Sequence, residues 1–477
     1  MSTSAKPFLQ ALVDAVGADA VVPGAEVAPR HLSDWSGAPP VVPLALVRPR
    51  STAEVAAVLR LCHAHRVPVV PQGGLTGLAG AAVPAADGIA LSLDRMNAIE
   101  SLDTAAATLT VQAGATLQAV QEAAAAQGLL FGVDLGARGS CQIGGNLATN
   151  AGGNGVLQFG MMREQTLGLE VVLADGSVLP MLRPMVKNNT GYDLKQFFIG
   201  AEGTLGVITR AILRLQPAPR ARATVLVALA GPDDFQAALA LLRRLQARFP
   251  GAVAAFELMW RDFVEASLRW QALREPFEAP HPLTALVDVT GATEDALHTA
   301  LESVLGEAME AGEVADAVVA QSQAQAQALW KIREATAELP THMRPPINFD
   351  VSLPMADIGR FAEACRDALT ARWPAHLTIF FGHVGDGNLH LSTDARTVGG
   401  DEAGVEQMVY GLVAEFGGSV SAEHGIGLHK KPYLGASRSP AELAAMRAIK
   451  QALDPLGLLN PGKIFDPHPA PAHQDTP

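Results

Sequence analysis

Apolar positions along the chain switch between helical and extended spacing, and the switches mark its elements. Between 51 and 66, Val55, Val58, Leu59 and Cys62 fall on one stripe, and Ser51 with Glu54 has the spacing of a capping box, which predicts a helix. A short β-prone run at 67–70, bounded by Pro68 and Pro71, follows it. Another helix is predicted from Thr116 to about Gln127, stopped by Gly128. Residues 166–172 and 177–182 predict two strands turning at Ala174-Asp175-Gly176, and 205–215 predicts a third. After a proline- and arginine-bearing junction at 217–222 the style changes. Helical stretches at 235–249, 294–311 and the later part of 313–330 interleave with strands at 283–289 and 377–381. That pattern predicts an antiparallel α+β domain rather than a βαβ nucleotide fold. A last helix at 441–453 precedes a proline-rich tail after Phe465, expected to fray. No internal repeat is visible.

A chain of 477 residues exceeds what one core usually supports, so two or more domains are expected. Apolar residues at 49% and charged residues at 17% supply enough buried surface for folded domains. The net charge of −13 argues against a nucleic-acid partner, yet a cleft can still hold a small anion. Cys62, Cys141 and Cys365 form neither a CxxC pair nor a cluster-ligand run, which predicts three reduced thiols in a cytoplasmic protein. The first residues lack the basic start and apolar run of a signal peptide, and no segment of about 18 apolar residues predicts a membrane span. Peripheral contact with a membrane stays open.

Three glycine-dense stretches carry the first candidate chemistry: QGGLTGLAG at 72–80, DLGARGSCQIGGNLATNAGG at 134–153 and GAEGTLG at 200–206. Glycine lets backbone N–H groups approach a ligand with no Cβ between, and consecutive N–H groups make an anion nest. Gly73, Gly74 and Gly77, with the Thr76 hydroxyl, suit a pyrophosphate; Gly144, Gly145, Thr149 and Asn150 suit the other side of an extended cofactor. No Gly-Lys-Ser/Thr follows and the Gly-x-Gly-x-x-Gly spacing is absent, so neither a Walker loop nor a dinucleotide fingerprint is present.

The second candidate is FGHVGDGNLH at 381–390 with SAEHGIG at 421–427. His383 and His390 flank a tight turn, and Glu423 stands beside His424. Two imidazoles and a carboxylate form an open metal set that leaves positions for substrate oxygens. The carboxylates are too few for a calcium loop.

The loop at 71–80, the segment 139–153 and KNNTGYDL at 187–194 leading into 200–209 together resemble the FAD domain of the vanillyl-alcohol-oxidase/p-cresol-methylhydroxylase (PCMH) superfamily. Over about 30–466 the chain is most similar to its FAD-linked D-2-hydroxy-acid dehydrogenase group, which includes D-lactate and D-2-hydroxyglutarate dehydrogenases and glycolate oxidase subunits. The resemblance implies an α+β protein: a PCMH-type FAD-binding domain at 1–217 (core about 38–217), an α+β substrate or cap domain at 218–437 carrying the metal site, and a C-terminal helical segment at 438–477 returning to the FAD domain. It implies FAD contacts from Gln72, Gly73, Gly74, Thr76, Gly77 and Leu78; from Gly139, Ser140, Gly144, Gly145, Thr149, Asn150, Gly153 and Gly155; from Gly203, Gly206 and Ile208 near the adenosine end; and from Asn460 in LLNPGK. No histidine lies between Gln72 and Gly80, so the FAD is expected to be non-covalent. Leu135 and Leu75 depart from the common proline and glycine at their places.

The same resemblance implies that His383, His390 and Glu423 ligate a divalent metal, zinc, and that His424 is the general base. Arg333, in WKIRE, would take the substrate carboxylate with its planar fork. Asn348 occupies a substrate-binding place usually held by lysine, and Ala337 that of a hydroxyl residue, with His342 or Arg344 as candidate replacements. The implied reaction oxidises a small D-2-hydroxy acid to the 2-keto acid by hydride transfer to flavin N5. Electrons would pass to a quinone, a flavoprotein or, in vitro, a dye, and a homodimer is compatible. The alternatives are a flavin oxidase of an alcohol or sugar and, in another class, a metal-dependent hydrolase or redox-inactive binding subunit.

Overall fold

Ser51 caps the helix Thr52–His65 as its spacing predicts, its hydroxyl accepting the Glu54 N–H at 3.2 Å. The Glu54 carboxylate does not complete the box but reaches one residue further back, to the Arg50 N–H at 2.7 Å. The stripe Val55, Val58, Leu59 and Cys62 is buried. The computed structural model describes residues 5–230 and 234–466, so the tail expected to fray lies, from 467 onward, outside the described residues. Contacts divide the chain into two compact units. The first comprises the chain up to Gly152, Met161–Ala218 and everything from Glu423; the second comprises Gly153–Gly160 and Pro219–Ala422. The chain thus changes unit after Ala422, earlier than the expected 437.

In the first unit a four-stranded sheet runs in the order Val21–Pro23, Ala45–Val47, Ile89–Ser92, Val69–Gln72, with its last three strands parallel. A five-stranded antiparallel sheet follows the order Ile99–Asp103, Thr108–Gln112, Val207–Arg214, Thr166–Val172, Val178–Met181. The hairpin read at 174–176 is present, with Val172 opposite Val178. The strand predicted at 67–70 shifts to Val69–Gln72 because its ladder partner is Ile89–Ser92 and Pro68 has no N–H to give. The helix Pro440–Leu453 has a complete capping box from Ser439 and Glu442, and Leu459 beyond it bridges to Val69. The Lys450 ammonium donates to the Thr204 and Leu459 carbonyls.

The second unit is one seven-stranded sheet, antiparallel throughout. Its order is Val314–Val319, Ala221–Leu229, Leu283–Gly291, Val253–Trp260, Thr378–Gly382, Asn388–Asp394, Pro346–Ser352. The helices Asp234–Arg248, Glu294–Glu310 and Gln323–Glu334 fall where apolar periodicity predicts them. Cys62, Cys141 and Cys365 are buried free thiols. Among the described residues no helix is long and apolar enough to cross a membrane.

Candidate active site: a glycine cradle and a buried carboxylate–imidazole network

Strand Val69–Gln72 delivers the chain into the first glycine loop, and the loop must be glycine where it touches its neighbour. A Cβ on Gly74 would stand 2.1 Å from the Ser140 carbonyl oxygen and 2.8 Å from the Cys141 Cα. Leu75 takes a left-handed φ of 61°, a conformation that favours glycine. Gly73, Gly74, Leu75, Gly139 and Ser140 line a cavity of about 510 Å³, joined by Arg30, His31, Asp34 and Trp35. Gly145 has open space where its Cβ would point. A cavity with a glycine-built backbone wall suits a diphosphate, so these residues fit FAD.

Other residues expected to touch the cofactor are held by protein groups. Gln72 is buried; its amide donates to the His31 and Ala82 carbonyls, and its oxygen lies 3.0 Å from His31 Nδ1. Thr149 bonds back to the Gly145 carbonyl, and Asn150, at φ 52°, ends the helix Ile143–Thr149 and accepts the Arg163 N–H. Thr76 and Gly77 continue the first loop to Leu78, which is exposed. Gly144 packs its N–H on the Ala113 carbonyl at 2.7 Å. Gly203 has φ 70°, a Cβ on Gly206 would meet Val171 at 2.5 Å, and Ile208 is buried in Val207–Arg214. Asn460 donates to the Ala81 and Glu202 carbonyls, tying the C-terminal return to both loops. Gly153 and Gly155 fall in the second unit.

In the second unit, cross-strand register sets Phe381, His390 and Asp350 side by side on one sheet face. The Phe381 and His390 rings stack at 5.2 Å, and the His383 ring meets His390 edge-on at 5.5 Å. Helix Gln323–Glu334 lays the Arg333 guanidinium 4.8 Å over Phe381, and the buried Ser267 hydroxyl anchors its end at the Ile332 carbonyl. Between them lies a residue the sequence reading missed. Glu257, 1% exposed, accepts from Arg333 Nε at 2.8 Å and bonds His383 Nδ1 at 2.5 Å. Burial pushes its carboxyl upward, but the facing His383 and Arg333 charges and their hydrogen bonds outweigh it and draw it down to about 2. An ionised Glu257 holds the proton on Nδ1 of His383, which leaves Nε2, 3.5 Å from Arg333 Nη2, as the ring's acceptor.

Asp350, also missed, is fully buried, accepting from Asn388 at 2.7 Å and from the Ser421 hydroxyl at 3.3 Å. One of its oxygens and one His390 ring nitrogen lie within 4.8 Å of each other. That carboxylate–imidazole pair offers donors a divalent cation accepts, and His383, expected as a ligand, is not among the donor atoms gathered there. Asn348 is exposed on the strand Pro346–Ser352 and accepts from Ser392 at 2.7 Å; Ala337 is exposed. His342 stacks on Trp270 and Arg344 bonds the Thr341 carbonyl. The Ala422 N–H binds the Asp350 carbonyl, and Glu423 is the next residue. In the first unit, Glu423 and His424 lie 3.8 Å apart, oxygen to Nε2.

Two family models match the chain: the FAD binding domain over residues 43–181 and FAD linked oxidases, C-terminal domain, over residues 218–464. D-2-hydroxyglutarate dehydrogenase of Xanthomonas citri pv. viticola is 42% identical over 446 residues, covering 92% of this chain and 93% of that protein. The mitochondrial D-2-hydroxyglutarate dehydrogenase of Bos taurus is 38% identical, covering 95% of this chain and 84% of that protein. Among solved structures, p-cresol methylhydroxylase with substrate bound superposes with a TM-score of 0.77 over 98% of both chains, at 18% identity, a likeness of fold.

Proposed function

The chain belongs to the FAD-linked D-2-hydroxy-acid dehydrogenase group of the vanillyl-alcohol-oxidase/p-cresol-methylhydroxylase superfamily, and within it we propose a metal-assisted oxidation of a small D-2-hydroxy acid. The observation that carries the reading is the Glu257–Arg333–His383 network in the second unit. A buried carboxylate that orients both an arginine and an imidazole is costly unless the site has work for a positioned cation and a positioned nitrogen ligand.

His383, His390 and Glu423 are the proposed ligands of a divalent cation, zinc by the character of the donors, with Asp350 beside His390 as an added anionic group. When bound, the cation lowers the pKa of a coordinated hydroxyl. Bound FAD would supply the acceptor for the hydride that leaves the substrate α-carbon. Glu257 fixes the His383 ring so that Nε2 is the nitrogen available for ligation. His424 accepts the hydroxyl proton as general base. Arg333 presents its remaining nitrogens to the substrate carboxylate while Nε stays on Glu257. The glycine cradle at 73–75 and 139–140 holds the pyrophosphate through backbone groups. With no histidine between Gln72 and Gly80, the flavin is proposed to dissociate.

D-2-Hydroxyglutarate heads the substrate candidates because it names the relatives; Asn348 and Ala337 are the two places where a different side chain would be accepted. A panel of D- and L-2-hydroxy acids with a dye acceptor tests this. Turnover with D but not L acids, 2-hydroxyglutarate or lactate among them, is expected. No turnover with any D-2-hydroxy acid by flavin-loaded, zinc-supplemented protein would overturn it.

A further inference from the structure

Glu202 is a buried carboxylate that the mechanism above does not use. It sits in the third glycine loop of the first unit, 5% exposed, with a left-handed φ of 51° that a non-glycine residue rarely adopts. One carboxylate oxygen accepts the Ile426 N–H at 2.7 Å and the other accepts the Gly427 N–H at 2.8 Å. Both donors belong to the loop that carries Glu423 and His424. The backbone around this contact leaves little slack. A Cβ on Gly425 would stand 2.9 Å from the Glu202 carboxyl carbon, and one on Gly427 would stand 2.1 Å from the Ala79 carbonyl oxygen. Leu428 and His429 both donate their N–H groups to Ala79, at 2.8 and 3.2 Å.

The backbone of Glu202 is held as firmly as its side chain. Its N–H donates to the Ala148 carbonyl at 2.8 Å, and its own carbonyl accepts from the Asn460 amide at 2.7 Å. A strained, fully engaged residue whose carboxylate ends on two successive N–H groups fixes where those groups sit. Burial pushes the Glu202 carboxyl above its usual range, opposed by the Ile426 and Gly427 N–H donors and by Lys430, so an acid kept here depends on those donors.

We propose that Glu202 is the positioning residue for His424: its carboxylate staples the 423–427 loop to the flavin loop at 200–206 and so sets the place of the base. The inference rests on the reading of His424 as general base. Displacing a base by about 1 Å costs about 100-fold in rate, which sets the size of the effect. In Glu202→Gln the shape is kept, but an NH₂ group now faces one of the two N–H donors.

The test compares wild type, Glu202→Gln, Glu202→Asp and Gly425→Ala as flavin-loaded proteins. Backbone amide exchange and anaerobic flavin reduction by D-2-hydroxyglutarate are both measured. Glu202→Gln is expected to keep its flavin spectrum, to exchange amides at 424–428 about tenfold faster with those of Val69–Gln72 unchanged, and to lose about 100-fold in the limiting reduction rate while substrate affinity barely moves. Glu202→Asp, which keeps both acceptor oxygens, should recover part of the rate. Gly425→Ala, which pushes the loop off Glu202 from the other side, should reproduce the Gln pattern. Wild-type exchange and rate in Glu202→Gln, or exchange rising equally across the first unit, would overturn the proposal. Should wild type reduce no flavin, the dehydrogenase reading fails, and exchange at 424–428 alone decides the role of Glu202.

Discussion

Glu257→Gln removes one charge from the second unit with almost no change in volume. In the wild type the carboxyl is drawn from an ordinary 4.5 to about 2 by His383 and Arg333, against the upward push of burial. At about 1.4 kcal/mol per pKa unit, that depression corresponds to about 3 kcal/mol of stability. The figure agrees with the about 3–5 kcal/mol expected when one partner of a buried ion pair is removed and the other is left buried. The sign follows from the direction. Because the folded pKa lies below the ordinary one, the contribution is fully present above about pH 4.5 and is lost as pH falls through about 2. Four of the five tryptophans, Trp260, Trp270, Trp330 and Trp373, lie in the second unit, so tryptophan emission during guanidinium unfolding reports chiefly on it. With a chelator present, the variant should be about 3 kcal/mol less stable at pH 7, and the gap should shrink towards pH 3. A loss under about 1 kcal/mol, or a gap that ignores pH, would refute the assignment of Glu257 as the ionised partner of Arg333 and His383.

Gly74→Ala forces a Cβ against the Ser140 carbonyl and should weaken FAD binding by about 1–3 kcal/mol, read by titrating apoprotein with FAD. Gly145→Ala meets no neighbouring atom and lies inside the helix Ile143–Thr149, so it should not lower the apoprotein's melting temperature and should still weaken FAD if that face receives the cofactor. His424→Ala should keep the yellow cofactor and lose flavin reduction; unchanged single-turnover reduction would reject it as base. Asp350→Asn should lower zinc affinity about 10–100-fold in a competition titration, whereas an unchanged affinity would remove Asp350 from the metal's surroundings.

The elements were legible because each rests on local evidence. The Ser51 cap, the stripe on Thr52–His65 and the turn at 174–176 need only their neighbours in sequence. The glycine loops were legible as loops for the same reason, although Gln72 and Thr149 turned their polar ends to the protein, which composition does not reveal. Glu257 was invisible for a different reason. It sits in VAAFELMW, a run that reads as a buried strand, and its partners lie 76 and 126 residues away. One signal was available: a lone carboxylate inside an apolar strand is rare unless it is paired. Asp350 in FDVSLP carries the same signal, an acid in a largely apolar strand, whereas Glu202 sits in the glycine loop GAEGTLG, where nothing local marks it as buried. Long-range pairing of a buried charge is a tertiary fact, and only the fold discloses it.

The most direct measurement is anaerobic mixing of flavin-loaded protein with D-2-hydroxyglutarate and D-lactate while flavin absorbance is followed, before and after treatment with a chelator. The account predicts bleaching by a D acid and not by its L enantiomer, lost on chelation and restored by zinc. Bleaching that persists at full rate in the chelated protein would contradict the metal-assisted step, and a flavin that no D-2-hydroxy acid reduces would contradict the reaction itself.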